Sequence, residues 1–479
     1  MRIGQTSFIV FVSKFAKAAL GFVATIYFAR VLGAEILGYY ALILALVAWL
    51  ELGGKIGIST AITKRLSEGE DQSAYFTAGV IAIGILAAVL SVGVVVFRDA
   101  VNEYVGVEAA VFVVFLLVLK LIHSLLTAVL QGEHLVHIYG LLDPLKTGSR
   151  AIIQIGLVFA GFGLTGMIVG KGIGVLIASL VALVFVSVTL TRPSTEHFRS
   201  LFDYAKYSWL GNLESRSFND VDIVILGALV SPALVGIYSV AWSIAKFLTV
   251  FGTAVKATLF PELSVADAEG DSETVSALVS DALTYGGLVI IPGLFGAILL
   301  GDRLLLLYGS EFVQGTAVLG VLIVATLARG YQKQLVNVLN GIDRPDVAFR
   351  VNAVAIVANV VLNVVLILWL GWLGAAIATA LSATIGLSLS LRELHRLVAF
   401  DIPYGELARQ LSAAVVMAVI VFGGQNTIEA TGILEQNVVI LVLLVAVGAG
   451  TYFVTLFTIS RRFRSTVVAN SPVRLPLVS

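Results

Sequence analysis

Cysteine is absent from the 479 residues, proline occurs only nine times, and charged residues make up 13% of the chain. The first absence excludes a disulfide framework. Formal net charge is zero, so no basic excess points to a nucleic-acid partner. The sequence also lacks a glycine-rich nucleotide loop, paired carboxylates in outer loops and any large outer domain. An ATP-driven pump and a membrane glycan polymerase or ligase are therefore disfavoured, and no cofactor or metal is implied. His134 and His137, a pair without further ligands, read as interfacial residues. What fills the chain instead is apolar. Hydrophobic residues account for 59% and mean hydropathy is +1.01, against roughly 45–50% apolar and about 25% charged residues in soluble domains.

The apolar residues fall in blocks of the length needed to cross about 30 Å of hydrocarbon. The pattern predicts an all-α integral membrane protein with about fourteen spans. A first group of six lies near 8–32, 37–57, 76–97, 109–130, 147–163 and 167–190. A second six lies near 207–229, 233–257, 282–301, 314–340, 349–370 and 372–391, and two more near 407–424 and 436–459. The opening run carries Lys14 and Lys17 and is read as a retained span, not a leader. With the N-terminus inside, eighteen basic residues fall on cytoplasmic segments and three, Arg30, Arg98 and Arg303, on outer loops. Basic residues in short loops stay on the cytoplasmic side, so both termini are expected there.

Internal landmarks repeat. LGAEILGYY (32–40) and VSPALVGIY (230–238) each join the first two helices of a group, aligning Gly38 with Gly236 and Tyr40 with Tyr238 at an offset of 198. Gln131-Gly132 and Asn340-Gly341 recur at an offset of 209, and Gly163 and Gly166 match Gly371 and Gly374. Two like-oriented halves of six helices are a parallel-repeat transporter arrangement, with substrate between the halves. The expected division is 1–190, a connection 191–206, a second lobe 207–392, and 393–479 carrying two further helices and a tail.

The run Ala29-Arg-Val-Leu-Gly33, followed by Gly38-Tyr-Tyr-Ala41, Glu51-Leu-Gly53 and Lys64-Arg65, resembles the opening helix pair of polysaccharide flippases. These belong to the multidrug/oligosaccharidyl-lipid/polysaccharide exporter superfamily. The resemblance implies two lobes around a central cavity in the plasma membrane of a prokaryote. It further implies alternating access that moves a polyprenyl-diphosphate-linked oligosaccharide outward, in a chain working as a monomer. Alternatives within the superfamily are a lipid II flippase and a multidrug antiporter.

Ionisable residues at membrane depth cost about 2.5–3.5 kcal/mol on insertion scales, so they face a wet cavity or a partner. Lys14 and Lys17 share a face of the first span, and Arg216 in the seventh is placed almost opposite Lys17 by the repeat. Lys120 lies mid-span with His123, Ser124 and Thr127, and Lys246 continues the stripe Tyr238, Trp242. These cations suit a diphosphate of about two negative charges, and the two aromatics offer faces for sugar rings. A drug antiporter calls for the opposite sign. Glu51, Glu214, Asp220 and Asp222 are the candidates for coupling to a proton or sodium ion, with charge balance as the competing role. Lys55 and Lys171 read as interfacial anchors. Asn352, Asn359 and Asn363 read as interhelical hydrogen bonders, and Pro292 as a kink in the ninth span.

Overall fold

The structure is a computed structural model. It describes residues 3–55, 57–431 and 436–470, and within the helices the side chains of 3–18, 207–220, 250, 253–254, 256–258 and 469–470 fall outside the description. The described residues form eighteen α-helices and one 3₁₀ turn, without strands. In order they are α1 (Ile3–Lys55), α2 (Ile58–Ser67), α3 (Gln72–Val96), α4 (Arg98–Val105), α5 (Ala110–Gly132) and α6 (Val136–Phe159). Next come α7 (Gly163–Phe185), α8 (Thr195–Leu229), α9 (Pro232–Phe247), α10 (Val250–Ala268), α11 (Ser272–Gly286) and α12 (Ile290–Leu306). The chain continues with α13 (Thr316–Gly341), α14 (Pro345–Leu370), α15 (Trp372–Leu397), α16 (Tyr404–Thr431), α17 (Asn437–Ile459) and α18 (Arg461–Asn470).

Each of the fourteen expected spans coincides with helix. Ten stretches of the described residues are long and apolar enough to cross a membrane. The first of them holds two spans, because Gly33 at φ 79° and ψ 175° interrupts α1 with backbone angles that a side chain resists. The three remaining crossings, α6, α8 and α9, are too polar or too short for that criterion. Outward faces are apolar, as lipid requires: Val111, Val184 and Trp369 are each 78–81% exposed. The ninth span breaks at Gly287–Val289, where α11 gives way to α12, so Pro292 stands in the first turn of α12, a position where its missing N–H costs little.

The chain forms two compact units, one of Leu20–Ser239 and one of Met1–Ala19 with Val240–Ser479. In the first, Ile62 and Leu66 of α2, Phe76 of α3, Leu121 and Leu125 of α5 and Leu201 of α8 share one apolar core. In the second, Leu263 of α10, Leu283 of α11, Leu335 and Leu339 of α13 and Leu394 of α15 do the same. A stripe of small residues closes one helix pair in each. In α7, Gly166, Gly170 and Gly174 lie against Leu157, Gln154 and Arg150 of α6, so closely that a Cβ at Gly170 would stand 2.9 Å from the Gln154 backbone. At an offset of 208 the corresponding residues of α15 are Gly374, Ala378 and Ser382, and a Cβ at Gly374 would stand 2.0 Å from the Leu366 carbonyl oxygen of α14. Small residues let membrane helices approach backbone to backbone. Both stripes begin just after a positive-φ glycine, Gly163 at 49° and Gly371 at 60°.

The asparagines of α14 bond as expected of helix glue. Asn359 donates to Ser382 Oγ at 3.1 Å, and Asn352 accepts from Gln332 at 3.4 Å.

Candidate functional site

Four elements of the first unit enclose a cavity of about 360 Å³: the end of α1, the middle of α5, and facing stretches of α6 and α7. Its lining holds five basic side chains, Lys55, Lys120, Lys146, Arg150 and Lys171, and two carboxylates, Glu51 and Asp143. The formal balance is three positive charges. Hydroxyls of Ser124, Thr127 and Thr147 and the His123 ring complete its polar surface.

Glu51 organises one wall. Its carboxylate is 6% exposed and bridges Lys55, at 2.5 Å along α1, and Lys120 across on α5. One acid thus holds two bases, which fixes α1 against α5 at this depth. On the opposite wall Lys146 pairs with Asp143 one turn back in α6, at 3.3 Å. Arg150 and Lys171 line the cavity from either side of the glycine seam of α6 and α7, where Gly174, three residues from Lys171, lies against the Arg150 backbone. Lys171 Nζ stands 5.8 Å from the centroid of the Tyr40 ring, a cation–π distance. The Tyr40 hydroxyl accepts a 3.0 Å bond from Gln154 Nε2, which also donates to the Met167 carbonyl. His123 Nδ1 and Ser179 Oγ are 3.2 Å apart, and Ser59 and Ser124 share a 3.0 Å bond.

The residues singled out from sequence divide into three sets. Lys120 and Glu51 lie in the cavity, paired with each other. Tyr238, Trp242, Lys246 and Asp222 do not line it. Tyr238 is fully buried and its hydroxyl donates to Asp222 Oδ2 at 2.7 Å, so its ring presents no face to a sugar in this conformation. Trp242 is 4% exposed and carries Lys246 Nζ 4.9 Å from its ring centroid. Lys14, Lys17, Glu214, Arg216 and Asp220 have side chains outside the described residues.

Lys55 and Lys171, read as anchors, belong to the cavity instead. The seventh helix of the fold begins at Gly163 and not near 167, which sets Lys171 about 12 Å along it, beyond easy reach of an interface. With a span expected from 147, Lys146 precedes it and Arg150 falls in its first turn, so both count among the cytoplasmic basic residues. The helix starts at Val136, running through Pro144, so both lie within it. A readable signal did exist. The four-residue spacing of Gly166, Gly170 and Gly174, opposed by Arg150 and Gln154 at the same spacing, marks a close helix pair with a polar edge.

Comparison with known proteins bears on both fold and role. Residues 27–316 match a family described as polysaccharide biosynthesis protein. The chain is 31% identical over 471 residues to a probable flippase, AglR, of Haloferax volcanii, covering 97% of this chain and 98% of that protein. It is 28% identical over 440 residues to a probable low-salt glycan biosynthesis flippase, Agl15, of the same organism, covering 91% and 92%. Among solved structures, the lipid II flippase MurJ in an inward closed conformation superposes with a TM-score of 0.79 at 15% identity, over 96% of this chain and all of that one. An inward-facing multidrug resistance transporter of the MATE family gives 0.65 at 16% identity, over 80% and 95%. At such identities the structures establish a shared fold.

Proposed function

The chain belongs to the polysaccharide biosynthesis protein family and is a membrane flippase, not an enzyme; on that premise we propose that it carries a lipid-diphosphate-linked oligosaccharide from the cytoplasmic to the outer face. The observation that supports this cargo is the sign of the cavity, where five basic side chains face two carboxylates. A lipid-linked glycan offers a membrane protein one charged moiety, its phosphates, between an apolar tail and a neutral sugar. A cationic chamber at membrane depth suits that moiety, since desolvation strengthens charge-assisted hydrogen bonds to phosphate oxygens. An organic cation would be repelled there, which sets aside a multidrug antiporter.

In this reading two six-helix lobes, 1–190 and 207–392, alternate access to the substrate, joined by 191–206 and followed by the helices of 393–479. Both termini are cytoplasmic, as the basic loops require, and the working unit is the monomer. Lys14, Lys17 and Arg216 extend the cationic surface. Glu214, Asp220 and Asp222 serve coupling to a proton or sodium ion, with Glu51 the further candidate inside the cavity.

A deletion strain analysed for its lipid-linked glycans tests the proposal. Mature lipid-linked oligosaccharide accumulating on the cytoplasmic leaflet is the expected result. An unglycosylated lipid pool with no accumulated precursor would overturn it, since that pattern marks a missing biosynthetic step.

A further inference from the structure

The cavity cations are not equivalent. Lys55 and Lys120 share Glu51, and Lys146 has Asp143. Among the described residues, Arg150 and Lys171 have no carboxylate within ion-pair distance, and Arg150 Nε is buried without a hydrogen-bond partner. A desolvated cation lacking a counter-charge is costly, and the cost is recovered when an anion arrives.

The repeat supplies an internal control. At the offset of 208 that superimposes the two glycine stripes, Arg150 corresponds to Ala358, Lys146 to Val354 and Lys171 to Thr379. The second unit builds the same close helix pair, α14 on α15, with neutral side chains at all three places. Packing therefore does not require the charges. They are an addition peculiar to the first half.

Both groups are also held in position. Gln154, one turn beyond Arg150 on α6, is wedged against Gly170 and bonded to Met167 O, and from there it fixes the Tyr40 hydroxyl. Tyr40 in turn lies beneath the Lys171 ammonium. A guanidinium offers a planar fork that grips one phosphate through two bonds, while an ammonium acts as a compact point charge.

We propose that Arg150 and Lys171 are the diphosphate-binding pair of this cavity, one cation per phosphate, with Gln154 and Tyr40 as the residues that position Lys171. This rests on the flippase reading and adds to it a preference for diphosphate over monophosphate.

The test uses the full-length protein in lipid nanodiscs and titrates inorganic pyrophosphate and orthophosphate by calorimetry. Pyrophosphate binds the wild-type protein more tightly than orthophosphate. Arg150→Gln and Lys171→Gln each weaken pyrophosphate by about tenfold or more and abolish the preference, whereas Lys146→Gln, the same charge change at a paired cation, costs less than about threefold. Equal losses in all three variants would replace the specific pair by a diffuse positive field. Because the chain has no native cysteine, Lys171→Cys gives a rescue: alkylation with an aminoethyl reagent restores an ammonium and with it pyrophosphate binding. Failure of that folded, modified protein to recover overturns the assignment. No pyrophosphate binding by wild type likewise overturns it, while translocation of lipid-linked glycan by the same preparation would leave the flippase reading intact.

Discussion

Gly38 and Gly236, 198 residues apart, pack backbone on backbone. A Cβ on Gly236 would lie 1.9 Å from the Ala34 carbonyl oxygen and 2.9 Å from Gly38 N, and one on Gly38 would lie 1.8 Å from the Pro232 carbonyl oxygen. The two helical segments that the sequence marks as duplicates thus meet each other, and each is glycine because the other is there. Forced overpacking of this kind typically costs about 1–3 kcal/mol. Gly38→Ala and Gly236→Ala are each expected to lower the melting temperature in nanodiscs, while Gly21→Ala, which meets nothing within 4 Å, does not. An unchanged melting temperature for Gly236→Ala would contradict the contact.

Glu51 holds two bases, so its loss strands both. Removing one partner of a buried pair costs roughly 3–5 kcal/mol, with cavity water moving the value to the lower end. Glu51→Gln is expected to destabilise more than Lys120→Gln, and the double variant less than the sum of the two. A double-mutant cycle by thermal unfolding measures this coupling, and strict additivity would remove the proposed bridge.

The seam between α6 and α7 sets the distance between Arg150 and Lys171. Gly170→Leu would drive a side chain into the Gln154 backbone. Glycan export should fall at least tenfold at matched membrane abundance, the scale of about 1.4 kcal/mol. Gly156→Ala, in open space on α6, should export normally. Normal export by Gly170→Leu would mean that the close approach is not needed.

Tyr238→Phe keeps the ring and removes the hydroxyl that donates to Asp222, a residue only 2% exposed. Leaving a buried carboxylate without that donor costs about 1–3 kcal/mol. The expected signature is lower thermal stability, restored in part when Asp222→Asn removes the charge. Wild-type stability combined with lost export would return Tyr238 to a role at the sugar.

The spans were legible because hydrophobic length is a property of contiguous sequence, and the break at Gly33 and the turns at Gly163 and Gly371 carried their own glycine marks. The cavity was only half legible. Asp143, Pro144 and Lys146 fall in the connection between the spans expected at 109–130 and 147–163, yet α6 runs through them. With the helix start expected at 147, Arg150 falls only one turn from its cytoplasmic end, whereas α6 begins at Val136 and carries it mid-helix. With α7 expected from 167, Lys171 stands one turn from the end and reads as an anchor, whereas the helix begins at Gly163. Lys120 and Glu51 were singled out one by one, but their pairing is a contact across α5 and α1 that no local pattern encodes. Tyr238 and Trp242 form an aromatic stripe that looks alike in sequence whether it faces a cavity or a neighbouring helix, and both are buried in this conformation.

Translocation itself is the most direct test of the central claim. Purified protein reconstituted in liposomes, with a fluorescent polyprenyl-diphosphate-linked oligosaccharide in the membrane, can be assayed by the fraction of glycan exposed to an external glycosidase. Wild-type protein is predicted to bring the inner-leaflet pool to the outside, and the variant carrying both Arg150→Gln and Lys171→Gln to leave it protected. Glycan that stays protected with the wild-type protein, or is exposed equally by protein-free liposomes, would contradict the account.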